Sequence, residues 1–153
     1  MAQVLKKLKK NSSEEVWVAV TDYKGRDLID IRVYYRSIDD LEMKPTKRGV
    51  SLALAKVPEL LGALEKAGAQ TPVGDILAKI EKSESESLYV AVKEFKGRKL
   101  VDVRIYFRPQ AGSEFIPSQK GVTFKLDDKA EALGEVKEAL RQAKTLLKPA
   151  PPS

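Results

Sequence analysis

Cationic and aromatic side chains recur along this chain in a pattern suited to gripping a flexible polyanion. Tyr23-Lys24-Gly25-Arg26 is followed by Asp30, Arg32, Tyr34 and Tyr35, and Phe95-Lys96-Gly97-Arg98 by Asp102, Arg104, Tyr106 and Phe107. Cations of this kind track phosphates, and flat π-faces accept unstacked bases at about 1–3 kcal/mol each. The absence of Cys and His removes thiol nucleophiles, His-based proton transfer and the usual zinc ligand sets. Asp30 and Asp102, identical in both stretches, could hold a metal for phosphodiester cleavage. Two-metal sites need several clustered oxygen ligands, however, and each Asp stands alone two residues from an Arg, so an ion pair is the expected arrangement. The expectation is a binding protein with no catalytic residue, no metal and no cofactor.

These residues recur because the chain repeats itself. Val16 to Leu52 realigns with Leu88 to Phe124 at a constant offset of 72 residues, without a gap, and 15 of the 37 positions are identical. Two copies of about 70 residues are each too small to bury much core alone, so they should pair within the chain.

Val16, Val18 and Val20, then Ile29, Ile31 and Val33, alternate with their neighbours at the period of half-buried strands. Between them Gly25 stands where a tight hairpin turn needs positive φ. A third strand is expected around Gly49 to Leu54, with Pro45 restricting its approach to an edge or a loop. A helix follows, with Pro58 in its first turn, Leu60, Leu61 and Leu64 as its apolar stripe, and Gly68 able to end it. Its counterpart is expected from Asp128 to Leu147, two turns longer. Gly62 and Gly134 recur inside these helices, through either close helix approach or tolerance at a surface. Val4, Leu5 and Leu8 align with Ile76, Leu77 and Ile80, adding a first short strand to each copy. The fold class is therefore α+β, two tandem ββββα units packed as an intramolecular pseudo-dimer. The boundaries are 1–69 and 76–148 for the units, 70–75 for the linker and 149–153 for a disordered tail.

Strand parity puts Trp17, Arg32 and Tyr34 on one outer face and Tyr89, Lys93, Arg104 and Tyr106 on the other. A solvated antiparallel face can carry the same residues, so pattern alone leaves both readings open. Arg32 and Tyr35 are three apart, which sends them to opposite faces of a regular strand, so either the strand bulges or Tyr34 is the stacking residue. Basic loops flank the faces: Lys44, Lys47 and Arg48 in the first copy, and only Lys120 in the second, where Ile116 and Gln119 replace two cations. The formal charge is +6, from 28 basic and 22 acidic residues, and the pI is near 9.4. That field favours polyanionic partners.

DYKGRDLIDIRVYY, then EMKPTKRGVSL and a helix, resembles the single-stranded-DNA-binding domain of the transcriptional positive cofactor 4 family, and EFKGRKLVDVRIYF repeats it. The resemblance implies a curved four-stranded sheet with one helix, homodimers packed through the helices, and paired grooves for antiparallel single strands. It implies roles in transcription and in DNA protection, repair or replication, without marked sequence preference. Carried over by motif, the strand-gripping residues are Tyr23, Lys24, Arg26, Arg32, Tyr35, Lys44, Lys47 and Arg48, with Phe95, Lys96, Arg98, Arg104, Phe107 and Lys120 in the second copy. The loss of loop cations there leads to the expectation that the second groove grips phosphate less strongly.

Two other partners stay open from sequence: RNA, as in the sheet-and-helix repeats of purine-rich-element-binding proteins, and another protein docked on the sheet face. No run approaches the length of a membrane span, and the first ten residues lack a secretory signal. The chain is therefore expected to be intracellular, cytoplasmic or nucleoid-associated in a prokaryote and nuclear in a eukaryote. Self-association beyond the internal pairing is left open.

Overall fold

Alternating apolar residues and tight turns give each half of the chain an antiparallel meander in a computed structural model, which describes residues 2–126 and 130–147. The first sheet has the order β1 (Gln3–Lys9), β2 (Glu14–Tyr23), β3 (Arg26–Arg36), β4 (Met43–Ala53), and the second β5 (Ile76–Glu81), β6 (Glu86–Phe95), β7 (Arg98–Phe107), β8 (Ile116–Lys125). Each sheet is followed by one helix, α1 (Val57–Lys66) and α2 (Glu131–Lys144). These are two tandem ββββα units. The element expected at the start of each copy is a strand, β1 and β5.

In the β2–β3 hairpin Val16 faces Val33, Val18 faces Ile31 and Val20 faces Ile29, while Trp17 faces Arg32 and Ala19 faces Asp30. The valines and isoleucines lie inward and the second set outward, as alternation requires. The hairpin tips correct one expectation. Positive φ is not confined to glycine: Lys24 and Gly25 have φ of 51° and 79°, and Lys96 and Gly97 have 51° and 76°. Left-handed backbone at both central positions is the two-residue turn that matches strand twist. A lysine held there is strained, and it is held there in both units.

β4 begins at Met43, earlier than expected, and ends its sheet, so Pro45 sits on an edge strand. Arg32 pairs with Gly49 and Tyr34 with Pro45, two residues of β3 against four of β4. The irregularity thus lies in β4, and β3 keeps its alternation. The same shift occurs between Arg104 and Tyr106 in the second unit.

The helices join the units by exchange. α1 lies against β5 and β6 of the second sheet, α2 lies against β1 and β2 of the first as well as β8, and the helices touch each other. β4 runs beside β8. Val18, Ile31, Leu60 and Leu64 share one core with Val90, Val103, Val136 and Leu140. Arg141 of α2 pairs with Glu65 of α1 at 3.4 Å, and Lys6 of β1 with Glu135 of α2 at 3.6 Å, closing the rim. Each helix therefore completes the other unit's hydrophobic layer.

Three helix details differ from expectation. α1 stops at Lys66 because Ala67 turns extended (φ −78°, ψ 129°), not through a left-handed Gly68. α2 has 14 residues against 10 in α1, an excess of about one turn. A side chain built at Gly62 or Gly134 meets nothing within 4 Å, so neither glycine marks a close helix approach. The expected start of α2 at Asp128 and the tail at 149–153 lie outside the described residues. Among the described residues, no helix is long and apolar enough to cross a membrane.

Candidate nucleic-acid interface

The outer face of each sheet is organised around one arginine. Arg32 donates from Nε and Nη2 to the Asp30 carboxylate at 3.2 and 2.8 Å, and from Nη1 to the Thr46 carbonyl at 2.9 Å. The Thr46 hydroxyl in turn donates to the Val33 carbonyl at 2.7 Å, fastening the irregular stretch of β4 to β3. Arg104 repeats this with Asp102 at 3.0 and 2.9 Å, the Ser118 carbonyl at 2.9 Å and the Ser118 hydroxyl on the Ile105 carbonyl at 2.7 Å. Thr46 and Ser118 are interchangeable because only the hydroxyl is used. Gly49 and Gly121 are required by this arrangement: a Cβ on Gly49 would lie 2.8 Å from the Arg32 backbone, and one on Gly121 2.6 Å from the Arg104 guanidinium carbon. Both arginines are thus set in place by their own unit, with part of each guanidinium still accessible.

Asp30 and Asp102 are ion-pair acceptors here, and no metal-holding group of three acidic side chains gathers among the described residues. Asp102 also receives Lys93 at 3.1 Å, and Lys93 donates to the Tyr106 hydroxyl at 3.3 Å. Desolvation pulls the Lys93 ammonium down, but Asp102 and Tyr106 together hold it above the usual lysine value.

The aromatic residues fall into two sets. Trp17 and Tyr34 stack at 3.9 Å between centroids, inclined by 13°, and Tyr89 and Tyr106 stack at 4.1 Å, inclined by 11°. Tyr34 is therefore the residue that shares the outer face with Arg32. Lys7 covers the Trp17 ring at 4.2 Å and Lys79 the Tyr89 ring at 5.2 Å, while the Trp17 indole donates to Glu15 at 2.8 Å. These stacked rings form a rigid floor. The second set is exposed and stands away from the stacks: Tyr23 and Phe95 at the hairpin tips, 63% and 62% exposed, and Tyr35 and Phe107 at the strand ends. Lys24 lies 5.3 Å over Tyr23 and Lys96 lies 5.4 Å over Phe95, so each tip carries a cation beside an open ring.

The basic loops differ from the reading of their composition. Lys44 is paired with Asp40 at 3.2 Å, and Arg48 with Glu14. The Arg48 hydrogen bond, followed by that of Asn11, holds the Glu14 carboxyl below its ordinary range. Lys47 lines a cleft of the second unit with Lys93, Arg104, Phe107 and Lys120. Arg26 and Arg98 complete the turns at the bases of the tips, paired with Tyr23 and Phe95 across the hairpins.

Sequence reasoning missed Lys7 and Lys79, Arg108 and Phe115. The lysines were legible, since both copies carry Lys at the same register of the first strand. Arg108 lies 4.8 Å over Phe115, which in turn lies 6.3 Å from Tyr89. Phe115 replaces Met43 of the first copy, so the repeat gave no aromatic signal there.

The sequence model of the family described as Transcriptional Coactivator p15 (PC4) matches residues 10–63 and 82–133, once in each unit. Similar solved structures include two crystal forms of a PC4 homolog from Burkholderia pseudomallei. The orthorhombic form is 25% identical over 49% of this chain and 95% of its own, with a TM-score of 0.40. The tetragonal form is 26% identical over 45% and 94%, with a TM-score of 0.39. No curated protein sequence matches significantly. With the family matched over more than half its length, the chain belongs to the transcriptional coactivator p15 (PC4) family, whose domain is typically nucleic-acid-binding, and carries that domain twice.

Proposed function

We propose that this chain is a non-enzymatic, largely sequence-independent single-stranded-DNA-binding protein acting in transcription or in DNA protection, repair or replication. Residues 1–69 and 76–148 are its two binding units and residues 70–75 join them in place of a homodimer. The observation that carries the reading is the pair of hairpin tips. In both units a lysine takes strained left-handed backbone beside an exposed aromatic ring and ahead of an arginine. The turn geometry accounts for the left-handed backbone but requires neither the ring nor the flanking cations, so their recurrence at both exposed tips is expected of a ligand-gripping element. Tyr23, Lys24 and Arg26 serve as one gripping tip and Phe95, Lys96 and Arg98 as the other. Tyr35 and Phe107 offer further rings for unstacked bases. The Trp17–Tyr34 and Tyr89–Tyr106 stacks, with Arg32 and Arg104, form the floor along which phosphates pass. Duplex DNA hides its base faces in the stack, so a surface built on open rings favours single strands.

The test is fluorescence anisotropy of a labelled oligonucleotide of about 20 bases as single-stranded DNA, duplex DNA and RNA, titrated at several salt concentrations. If about six to eight phosphates are neutralised, log affinity falls with log salt at roughly 0.7 times that number. Tight, salt-sensitive binding of single-stranded DNA with weak duplex binding supports the reading. Stronger binding of the RNA moves the protein to RNA recognition, since stacking platforms do not separate the two without contacts to the 2′-hydroxyl. No binding at low salt sinks the interface.

A further inference from the structure

The cleft beside β8 is built by both units. It measures about 540 Å³ and is lined by Lys93, Arg104, Phe107 and Lys120 of the second unit, with Lys47 reaching in from β4 of the first. The side-by-side course of β4 and β8 makes this possible, because Lys47 on one edge strand comes beside the other. The residue equivalent to Lys47 is Gln119. It lines the same cleft and also a smaller one of about 390 Å³ with Lys10 and Arg48 of the first unit. The two edge strands thus meet at the seam, one bringing a cation and the other a neutral amide.

Ion pairing widens the difference. In the second unit Asp102 is shared by Arg104 and Lys93, which leaves one positive charge over. The ammonium groups of Lys47 and Lys120 have no ion-pair partner among the described residues. In the first unit Asp30 cancels Arg32, Asp40 meets Lys44, and Glu14 is shared by Arg48 and Lys10, which likewise leaves one positive charge over. The excess on the second side of the seam is therefore made by Lys47 and Lys120, which both line its cleft. Cations sharing a cleft with an exposed ring, Phe107, match a phosphodiester with an unstacked base beside it.

We propose that this seam cleft is a composite phosphodiester-binding subsite, in which Lys47 of the first unit completes the groove of the second. The proposal rests on the single-strand reading and deepens it by assigning which unit each loop serves. It reverses the ranking read from composition: the second groove, though its own loop has lost two cations, holds phosphate more strongly. Fusing the units in one chain permits this, since a symmetric dimer would give both grooves the same loop.

The sole tryptophan, Trp17, lies in the first unit, stacked on Tyr34 in its sheet face, and serves as the probe of the first groove. The probe is a labelled oligothymidylate of about eight nucleotides, short enough for one groove. Anisotropy reads total binding, and Trp17 fluorescence reads the first groove. Lys47→Gln is expected to weaken the anisotropy isotherm about five- to tenfold at low salt and to lower its salt slope by about 0.7, leaving the Trp17 isotherm in place. Lys120→Gln, across the seam, should reproduce that pattern, and Lys24→Gln should move the Trp17 isotherm. Circular dichroism confirms the fold of each variant. If Lys47→Gln shifts the Trp17 isotherm instead, or changes neither signal while the wild type binds, this proposal is overturned and the single-strand reading stands. A wild type that binds no probe overturns both.

Discussion

In the first unit one carboxylate meets one guanidinium, Asp30 with Arg32; in the second, Asp102 meets Arg104 and also Lys93. The position of Lys93 is Thr21 in the first copy, so a single difference changes the charge of the sheet floor. The same floor also lies deeper, Asp102 being 3% exposed whereas Asp30 is half-buried. The loops differ in the opposite sense, since the first has three cations and the second has one. Yet two of the first three are paired with acids of their own unit and the third lines the neighbour's cleft. The comparison teaches that charge counted along a repeat does not assign charge to a groove. Pairing partners and the seam between copies decide it.

The largest expected effect tests whether the units can be compared separately at all. A fragment of residues 1–75 leaves α1 without β5 and β6 and leaves β1 without α2. It is expected to form no folded monomer, judged by circular dichroism and sedimentation. A cooperatively folded monomer would show that each unit closes its own core.

The next effect sharpens the difference in the floors. Asp102→Asn leaves Arg104 and Lys93 facing each other without their buried acid and is expected to cost about 3 kcal/mol or more. Asp30→Asn, with a single partner and more solvent, is expected to cost about 1–2 kcal/mol. Urea denaturation of both variants decides the matter, and equal losses would mean that Lys93 does not depend on Asp102.

The last contrast, whose two arms differ least, concerns the two glycines beneath the arginines. Gly49→Ala sets a methyl against the Arg32 backbone, whereas Gly121→Ala sets it against the end of the Arg104 side chain, which can move. Both should destabilise by about 1–3 kcal/mol, with Gly49→Ala the worse because backbone cannot yield as a side chain does. A reversed order would indicate that the bonds from Arg104 to Asp102 and Ser118 are stiffer than the strand.

Much of this was legible before any coordinates. The period-two valines and isoleucines marked the hairpin strands, the 72-residue offset marked the pairing, and Tyr23-Lys24-Gly25-Arg26 with its repeat marked the tips. The site was less legible. Parity placed Trp17 and Tyr34 together but not in contact, because whether two rings on one face stack or splay depends on rotamers and strand twist. The left-handed Lys24 was missed because composition points to the glycine, whereas the turn type, set by strand twist, requires both residues. Gly62 and Gly134 invited a reading of close helix approach that the open space around them removes.

By itself the sequence determined the elements, their order, the inward and outward faces and the doubling, because these depend on local periodicity and on the chain being its own partner. Only the tertiary structure decided which unit each helix covers, which cations are neutralised and which residues of one unit line the other's cleft. Those outcomes turn on distances between residues far apart in the chain, across a seam that no local pattern encodes.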